Sequence, residues 1–427
     1  MVWYYYIALV LILSQMLFLL HAYRNYRYAL KKYNKKRSGY QPPTVLIVPC
    51  KGRDLDFQKN IASFFNQDYE NYLLWFVVAD ESDTAYDELC RLKDRLSRNS
   101  KAKDVQIFIA GQGQSCSQKI HNLLYCYERI GDDIEIMAFA DSDICVRSDW
   151  LSHIVYPLRQ AKNGVSSGYR WFIPKKNNLA SLALSALNAK VAQLLGNSRF
   201  NQVWGGSMAV RVDVFRRLGI NKLWPKTLSD DLSLSCAVKK AGMNVAFVPA
   251  CLVASYESVT WTELFEFCRR QFLITRVSAP ATWWFGLFSS LFSVLGLWGG
   301  AAIAIYAAVK SSIINYQLSI LVAVPVVFFA GQMTRAILRQ RMAGKLLKYE
   351  RRETSDGQRA MKTARIADIL FFWLWSLLLL LLIVSSAFGR TIRWRGICYK
   401  LLGQTRTIVF NKENKEDHKD RLSALPQ

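Results

Sequence analysis

Apolar residues are concentrated at the two ends of this chain, and the middle between them is patterned. Val2 to Leu20 is a near-continuous apolar run without a charge, long enough to cross a bilayer. Three more apolar stretches follow the middle, at 281–309, 314–329 and 369–385, the last being the densest. Between these ends, short apolar runs alternate with amphipathic ones. Thr44 to Val48 predicts a strand and Pro49-Cys50-Lys51-Gly52 a turn. A helix is predicted over Asp54 to Asn66, and a strand over Leu73 to Ala79 that ends at Asp80. A helix over Asp83 to Leu96, a strand over Val105 to Ile109, a helix over Ser117 to Arg129 and a strand over Ile134 to Ala140 complete the pattern. Strands alternating with helices predict an α/β domain, residues 42–277, built on a mainly parallel sheet covered on both faces.

The ends fix the expected layout. Residues 1–22 lack the basic start and small-residue cleavage site of a signal peptide and read as a retained anchor. A basic linker follows at 23–41, with Arg24, Arg27, Lys31, Lys32, Lys35, Lys36 and Arg37. After the α/β domain come a membrane region at 278–389 and a basic tail at 390–427. Basic flanks put the domain and the tail on the cytoplasmic side. Four crossings would put the tail on the opposite side, so one stretch is expected to be interfacial or re-entrant. The choice falls on 281–309, which is broken by glycines and opens with Trp283-Trp284-Phe285 at headgroup level.

Composition changes this picture little. The 52% hydrophobic content fits a membrane protein, and the net charge of +24 raises nucleic acid as a partner. The lysines and arginines sit beside apolar segments, where they set topology and attract anionic lipid, so no nucleic acid is expected. The nine cysteines are scattered without zinc spacing and stay reduced in a cytoplasmic domain. The absence of a Gly-x-Gly-x-x-Gly or Walker loop removes dinucleotide and NTPase readings.

The chemistry gathers at strand ends. The run from Ile134 leads into Asp141-Ser142-Asp143, two acids at the carboxyl edge of a sheet, where open α/β folds bind ligands. Close carboxylates repel, and a divalent cation with a diphosphate relieves the repulsion. Asp80 ends another strand of the same sheet. Asp230-Asp231 follows Trp224, with Asp230 reading as a helix N-cap and Asp231 as the better base. The cations Arg269, Arg270 and Arg276 come next, near the membrane.

Lys51-Gly52-x-Asp54, Asp80, Lys119-Ile120-x-Asn122, Asp141-Ser142, Gly205-x-Ser207-Met208, Asp230-Asp231 and the cluster at Arg269 to Arg276 together resemble the ceramide glucosyltransferase family. Ile392-x-Trp394-Arg395-Gly396-x-x-Tyr399 is similar to that family's tail. This family is a branch of the nucleotide-sugar glycosyltransferases with the GT-A fold. The resemblance implies that Asp80 binds the uracil-ribose part of a UDP-sugar donor, with Lys51, Lys119 and Gln271 on the same ligand. It implies Asp141 beside the ribose or metal, Asp143 on Mg²⁺ or Mn²⁺, and Asp231 as general base toward a lipid hydroxyl. Gly205, Gly206 and Ser207 would flank the acceptor. The family's Gln/Arg-x-x-Arg-Trp element is altered here, with Arg270 as the cation and Phe272 as the aromatic substitute.

The expected activity is inverting transfer of glucose from UDP-glucose to a membrane lipid, ceramide first, with diacylglycerol or a hopanoid as alternative acceptors. A processive polysaccharide synthase shares the chemistry but needs more helices and an intact Arg-Trp element. A non-catalytic membrane scaffold fits the altered element but has no use for the retained acids.

Overall fold

A computed structural model describes residues 2–35, 37, 39–54, 56–310, 316–348, 355–394 and 397–410. Lys36, Arg395, Gly396, the start of the 314–329 stretch and the tail past Phe410 lie outside the described residues. The chain opens with helix α1, Val2–Tyr33. At 1.5 Å per residue it is about 48 Å long, so its end leaves a 30 Å hydrocarbon core and reaches the domain. The expected break into an anchor and a linker at residue 22 is absent, because the helix runs on through the basic residues. Asn25 donates to the carbonyls of Gln193 and Leu194, and the Tyr28 hydroxyl donates to that of Phe247.

Strands β1 (Thr44–Pro49), β2 (Tyr72–Val78), β3 (Asp104–Ile109) and β4 (Ile136–Ala140) alternate with α2 (Phe57–Phe65), α3 (Thr84–Leu96) and α4 (Gln118–Tyr127), as the pattern predicts, with bounds shifted by up to three residues. Then come α5 (Trp150–Val155), β5 (Asn163–Pro174), α6 (Leu179–Ala192), β6 (Ser207–Arg211), α7 (Val212–Arg217), α8 (Ile220–Leu223), α9 (Asp230–Lys240) and β7 (Asn244–Glu257). Among the described residues these strands form one seven-stranded sheet in the order β3-β2-β1-β4-β6-β5-β7. β6 runs antiparallel to both neighbours, and the other pairs are parallel. The sheet is therefore mixed, in the layout the GT-A resemblance implies.

The period-2 alternation divides the core. Leu46, Val48, Leu74, Phe76 and Val78 face α2, α3 and α5, whereas Val45, Ile47, Trp75 and Val77 face α4 and α9. Because β1, β2 and β4 are parallel, Lys51, Asp80 and Asp141 all emerge at one edge of the sheet.

The apolar C-terminal part begins with α10 (Trp261–Ser278), opened by a capping box in which Thr260 and Glu263 satisfy each other's backbone amides. It continues through α11 (Pro280–Val294), a single π-helical segment at Leu295–Gly299, and α12 (Gly300–Lys310). α13 (Tyr316–Leu346), α14 (Ser355–Leu370) and α15 (Phe372–Ser385) follow. Among the described residues three helices are long and apolar enough to cross a membrane, Tyr6–Tyr33, Pro280–Lys310 and Leu318–Leu346. The stretch at 281–309, expected to be interfacial or re-entrant, forms a helix of spanning length with a π-helical segment inside it. The sharp bend falls between α14 and α15, which meet at 84°. Trp283 is buried and its indole donates to Ser386, while Trp284 stays exposed.

Residues read as a basic tail instead form a three-stranded antiparallel sheet of β8 (Thr391–Trp394), β9 (Ile397–Gly403) and β10 (Arg406–Phe410). Ile392, Tyr399 and Leu401 pack with Leu228, Leu273 and Ile274. This fastens the small sheet to α10 and to the approach of α9.

Candidate active site

The strand-end acids meet two largely buried cations. Lys119, on the first turn of α4, lies 2.7 Å from Asp141 Oδ1 and 3.1 Å from Asp230 Oδ2, and donates to the Gly205 carbonyl at 3.1 Å. Burial opposes its charge, but Asp141 and Asp230 outweigh it and raise the lysine pKa. Arg170, in the middle of β5, lies 3.3 Å from Asp141 Oδ2 and 3.6 Å from Asp143 Oδ2. Its guanidinium rests 4.7 Å from the Trp204 ring centroid. Burial again opposes and the acids prevail, with Asp143 ahead of Asp141.

Asp230 is not the cap expected. Ser229 is the N-cap of α9 and accepts from the Leu232 amide, while Asp230 is drawn inward onto Lys119. Burial pushes the Asp230 carboxyl up to about 6, and Lys119 pulls the other way. Asp231 faces differently. Its Oδ1 accepts from the Ser229 hydroxyl at 2.5 Å and the Leu232 amide at 2.7 Å, and its Oδ2 accepts from the Gly205 amide at 3.1 Å. A carboxylate has about four acceptor positions, so three bonds orient it and leave one for an incoming hydroxyl.

The turn Trp204-Gly205-Gly206 is shaped by these groups. A Cβ on Gly205 would lie 2.4 Å from Asp230 Oδ2 and 2.9 Å from Lys119 Nζ, and one on Gly206 would lie 2.6 Å from Asp141 Oδ2. Only glycine lets the backbone come this close. Ser207 is turned away from solvent, its hydroxyl accepting from the Trp150 indole.

The structure therefore gathers Lys119, Asp141, Asp143, Asp230, Asp231, Gly205 and Gly206 into one cluster. Asp80 stands on the same edge but outward, exposed, with its carboxyl held below the usual range by the Ser82 hydroxyl and amide. Lys51 is half-buried in the turn after β1, where the Gly52 amide donates to Asp83. Asn122 is structural, bonded to Gln118 and the Val77 carbonyl.

The α10 residues behave differently from one another. Arg270 lies over Phe267 and Trp394, at 5.5 and 6.0 Å. Gln271 is exposed, and Phe272 packs toward α6 and α15. Arg269 and Arg276 hold the Phe388 and Gly389 carbonyls. Sequence reading missed Arg170, whose only signal is a charge inside the apolar run Tyr169 to Ile173.

Asp141 and Asp143 offer oxygen donors of the kind hard divalent cations take, and Arg170 already stands between them as a positive charge. The residues fit a divalent cation. Among the described residues no group of three or more His, Cys, Asp and Glu could hold an ion, so the remaining ligands would be water and substrate oxygens.

The chain is similar to several known proteins. A stretch of 137 residues, 31% of this chain, is 27% identical to ceramide glucosyltransferase 3 of Caenorhabditis elegans and spans 28% of that relative's length. Two solved structures are similar at low identity. The mannosyltransferase PcManGT from Pyrobaculum calidifontis, in complex with GDP-Man and Mn²⁺, has 14% identity and a TM-score of 0.45, covering 90% of this chain and 99% of its own. GalNAc-T7 with UDP, GalNAc and Mn²⁺ has 11% identity and a TM-score of 0.37, covering 56% of this chain and 49% of its own. The family model for glycosyl transferase family 21 matches residues 5–407. With that match over nearly the whole length, and with the acids gathered at the sheet edge, the chain belongs to glycosyl transferase family 21.

Proposed function

We propose that the chain transfers glucose from UDP-glucose to the hydroxyl of a membrane lipid, ceramide foremost, with inversion at the anomeric carbon. The observation that carries this reading is Asp231, oriented by three hydrogen bonds beside the Asp141/Asp143 pair. Asp231 takes the proton of the lipid hydroxyl as its oxygen attacks the anomeric carbon. UDP leaves from the opposite face with its diphosphate toward Lys119 and Arg170, whose fixed charges favour the developing anion. Asp143, with Asp141, would hold a Mg²⁺ or Mn²⁺ ion, which supplies further charge neutralisation at the diphosphate. Asp80 and Lys51 would serve the nucleotide end.

The lipid acceptor is supported by the loop that leads into the site. Phe200 is 60% exposed and stacks on Phe285 of α11 at 5.3 Å, and Gln202 donates to Thr282. Five residues further on, Gly205 donates to Asp231. Five residues span at most about 18 Å, so a headgroup at the surface held by α1 and α11 is within reach of the base. The basic end of α1 supports a cytoplasmic active site.

The test is incubation of the detergent-purified protein with UDP-glucose, UDP-galactose, Mn²⁺ and a panel of ceramide, diacylglycerol and hopanoid acceptors. Products are read by mass spectrometry beside Asp231→Asn. A single glucosylated lipid, at least 100-fold reduced in the variant, is expected for loss of a general base. Donor binding without product from any acceptor would refute lipid transfer, and a polymeric product would move the assignment to a processive synthase.

A further inference from the structure

Arg170 reaches across both acids of the Asp-x-Asp pair, with one nitrogen 3.3 Å from Asp141 and another 3.6 Å from Asp143. The same chain contains a different kind of buried Arg–Asp contact for comparison. Arg339 grips the single carboxylate of Asp368 through two nitrogens at 2.7 and 2.5 Å, a closed bidentate fork. Arg170 instead spends one nitrogen on each of two carboxylates, at distances beyond a charge-assisted hydrogen bond. Its firmest seat is aromatic, with the Trp204 ring at 4.7 Å and the Phe172 ring at 5.5 Å. Such contacts tolerate a change in where the fork points.

We propose that Arg170 is the resident counter-cation of the Asp-x-Asp pair: it bridges Asp141 and Asp143 in the donor-free protein, yields them to a divalent cation, and turns to the donor's diphosphate. The inference rests on the nucleotide-sugar reading above. Lys119 cannot serve, because its ammonium is committed to Asp141, Asp230 and the Gly205 carbonyl. Asp141 and Asp143 repel one another unless a positive charge lies between them, and Arg170 supplies it in a loosely bonded form. A diphosphate offers the guanidinium a paired-oxygen partner that matches its fork. A divalent cation alone must therefore compete with Arg170, whereas one arriving with a diphosphate meets acids that Arg170 has left. Metal and nucleotide binding are coupled through this side chain, and the coupling is reciprocal.

The experiment is titration of the full-length purified protein with Mn²⁺, with free Mn²⁺ read by electron paramagnetic resonance, in the absence and presence of UDP. In the wild type, UDP is expected to tighten Mn²⁺ binding on the order of tenfold. Arg170→Gln is expected to bind Mn²⁺ alone severalfold more tightly, with little further gain from UDP. Arg170→Lys, which replaces the two-nitrogen fork by a single point charge on a shorter reach, should shift in the same direction and carries the test if the Gln variant does not fold. A folded variant with unchanged or weaker Mn²⁺ affinity, and with UDP coupling intact, overturns the proposal. UDP binding by itself, followed by tryptophan fluorescence, separates the two readings. A wild type that binds no UDP overturns the donor assignment, whereas normal UDP binding without coupling to Mn²⁺ overturns the role of Arg170 alone.

Discussion

Replacing Lys119 with methionine tests the electrostatic centre of the site most directly. Its ammonium has three donors, and all three are engaged, by Asp141, Asp230 and the Gly205 carbonyl. These acceptors come from three separate segments: the end of β4, the start of α9 and the turn before β6. Lys119→Met leaves Asp141 and Asp230 facing each other with Lys119's charge gone and Asp230 only 6% exposed. Removing one partner of a buried ion pair costs about 3–5 kcal/mol. At about 2–4 °C per kcal/mol for a domain of this size, thermal unfolding in detergent should shift down by roughly 6–20 °C. Adding Asp230→Asn removes the stranded charge, so the double variant should recover part of the loss, with a coupling on the order of 1–3 kcal/mol. A single variant that melts within about 2 °C of the wild type, or losses that simply add, would refute the claim that Lys119 binds the cluster together.

Three further outcomes follow from the same geometry. Gly205→Ala should lower UDP-sugar turnover at least tenfold, because its Cβ meets Asp230 and Lys119, while Gly403→Ala, with no neighbour inside 4 Å, should be silent in the same assay. The raised Asp230 carboxyl means that the folded site keeps a proton the unfolded chain has released, so its contribution to stability is present below about 4 and is lost as pH rises through about 6. Melting curves from pH 4 to 7 should lose that slope in Asp230→Asn, and an unchanged slope would show that another group titrates. A cysteine at Thr405, in a background without reactive thiols, should react with an impermeant maleimide from the same side of the membrane as one at Asp132. Labelling from opposite sides would contradict the docking of the C-terminal sheet.

Local pattern carried the first half of the domain. β1 to β4 are largely apolar runs of five to seven residues bounded by turn residues, so each strand, and the acids that end β2 and β4, can be read directly. β5 was harder, since Ser166, Ser167, Gly168 and Arg170 interrupt it, and its partners lie far off in sequence. Arg170 belongs to no motif, and its meaning comes only from Asp141, Asp143 and Trp204 meeting it in space. Ser229 and Asp230 are both good caps in isolation. The choice between them is made by Lys119, more than a hundred residues earlier. The C-terminal strands are basic enough to pass for a tail, and Tyr399 shows its role only by packing with Leu273 and Leu228.

The bend between α14 and α15 is equally invisible in the sequence, yet it bears on the topology. Residues 388–394 and 397–402 lie on the α/β domain: Arg269 and Arg276 hold the Phe388 and Gly389 carbonyls, and Leu401 packs with Leu273. Any crossings after residue 277 must therefore be even in number. The helix at Pro280–Lys310 and α13 are each long and apolar enough for one crossing, and α15, at 14 residues, is about 21 Å long and short of the hydrocarbon core. We infer that α14 and α15 enter and return as one re-entrant elbow, which keeps the basic flanks on the domain side without assigning re-entry to 281–309. The domain itself holds that elbow. Lys190 of α6 donates to Ser376 at 2.7 Å and to the Phe372 carbonyl at 3.4 Å, and burial drives its pKa well below normal. Trp375 of the elbow packs in one cluster with Phe172 of β5, two residues beyond Arg170. The strand that carries a charge into the acid cluster is thus also the strand on which the membrane elbow rests, and this ties the height of the site above the bilayer to the geometry of its charged centre.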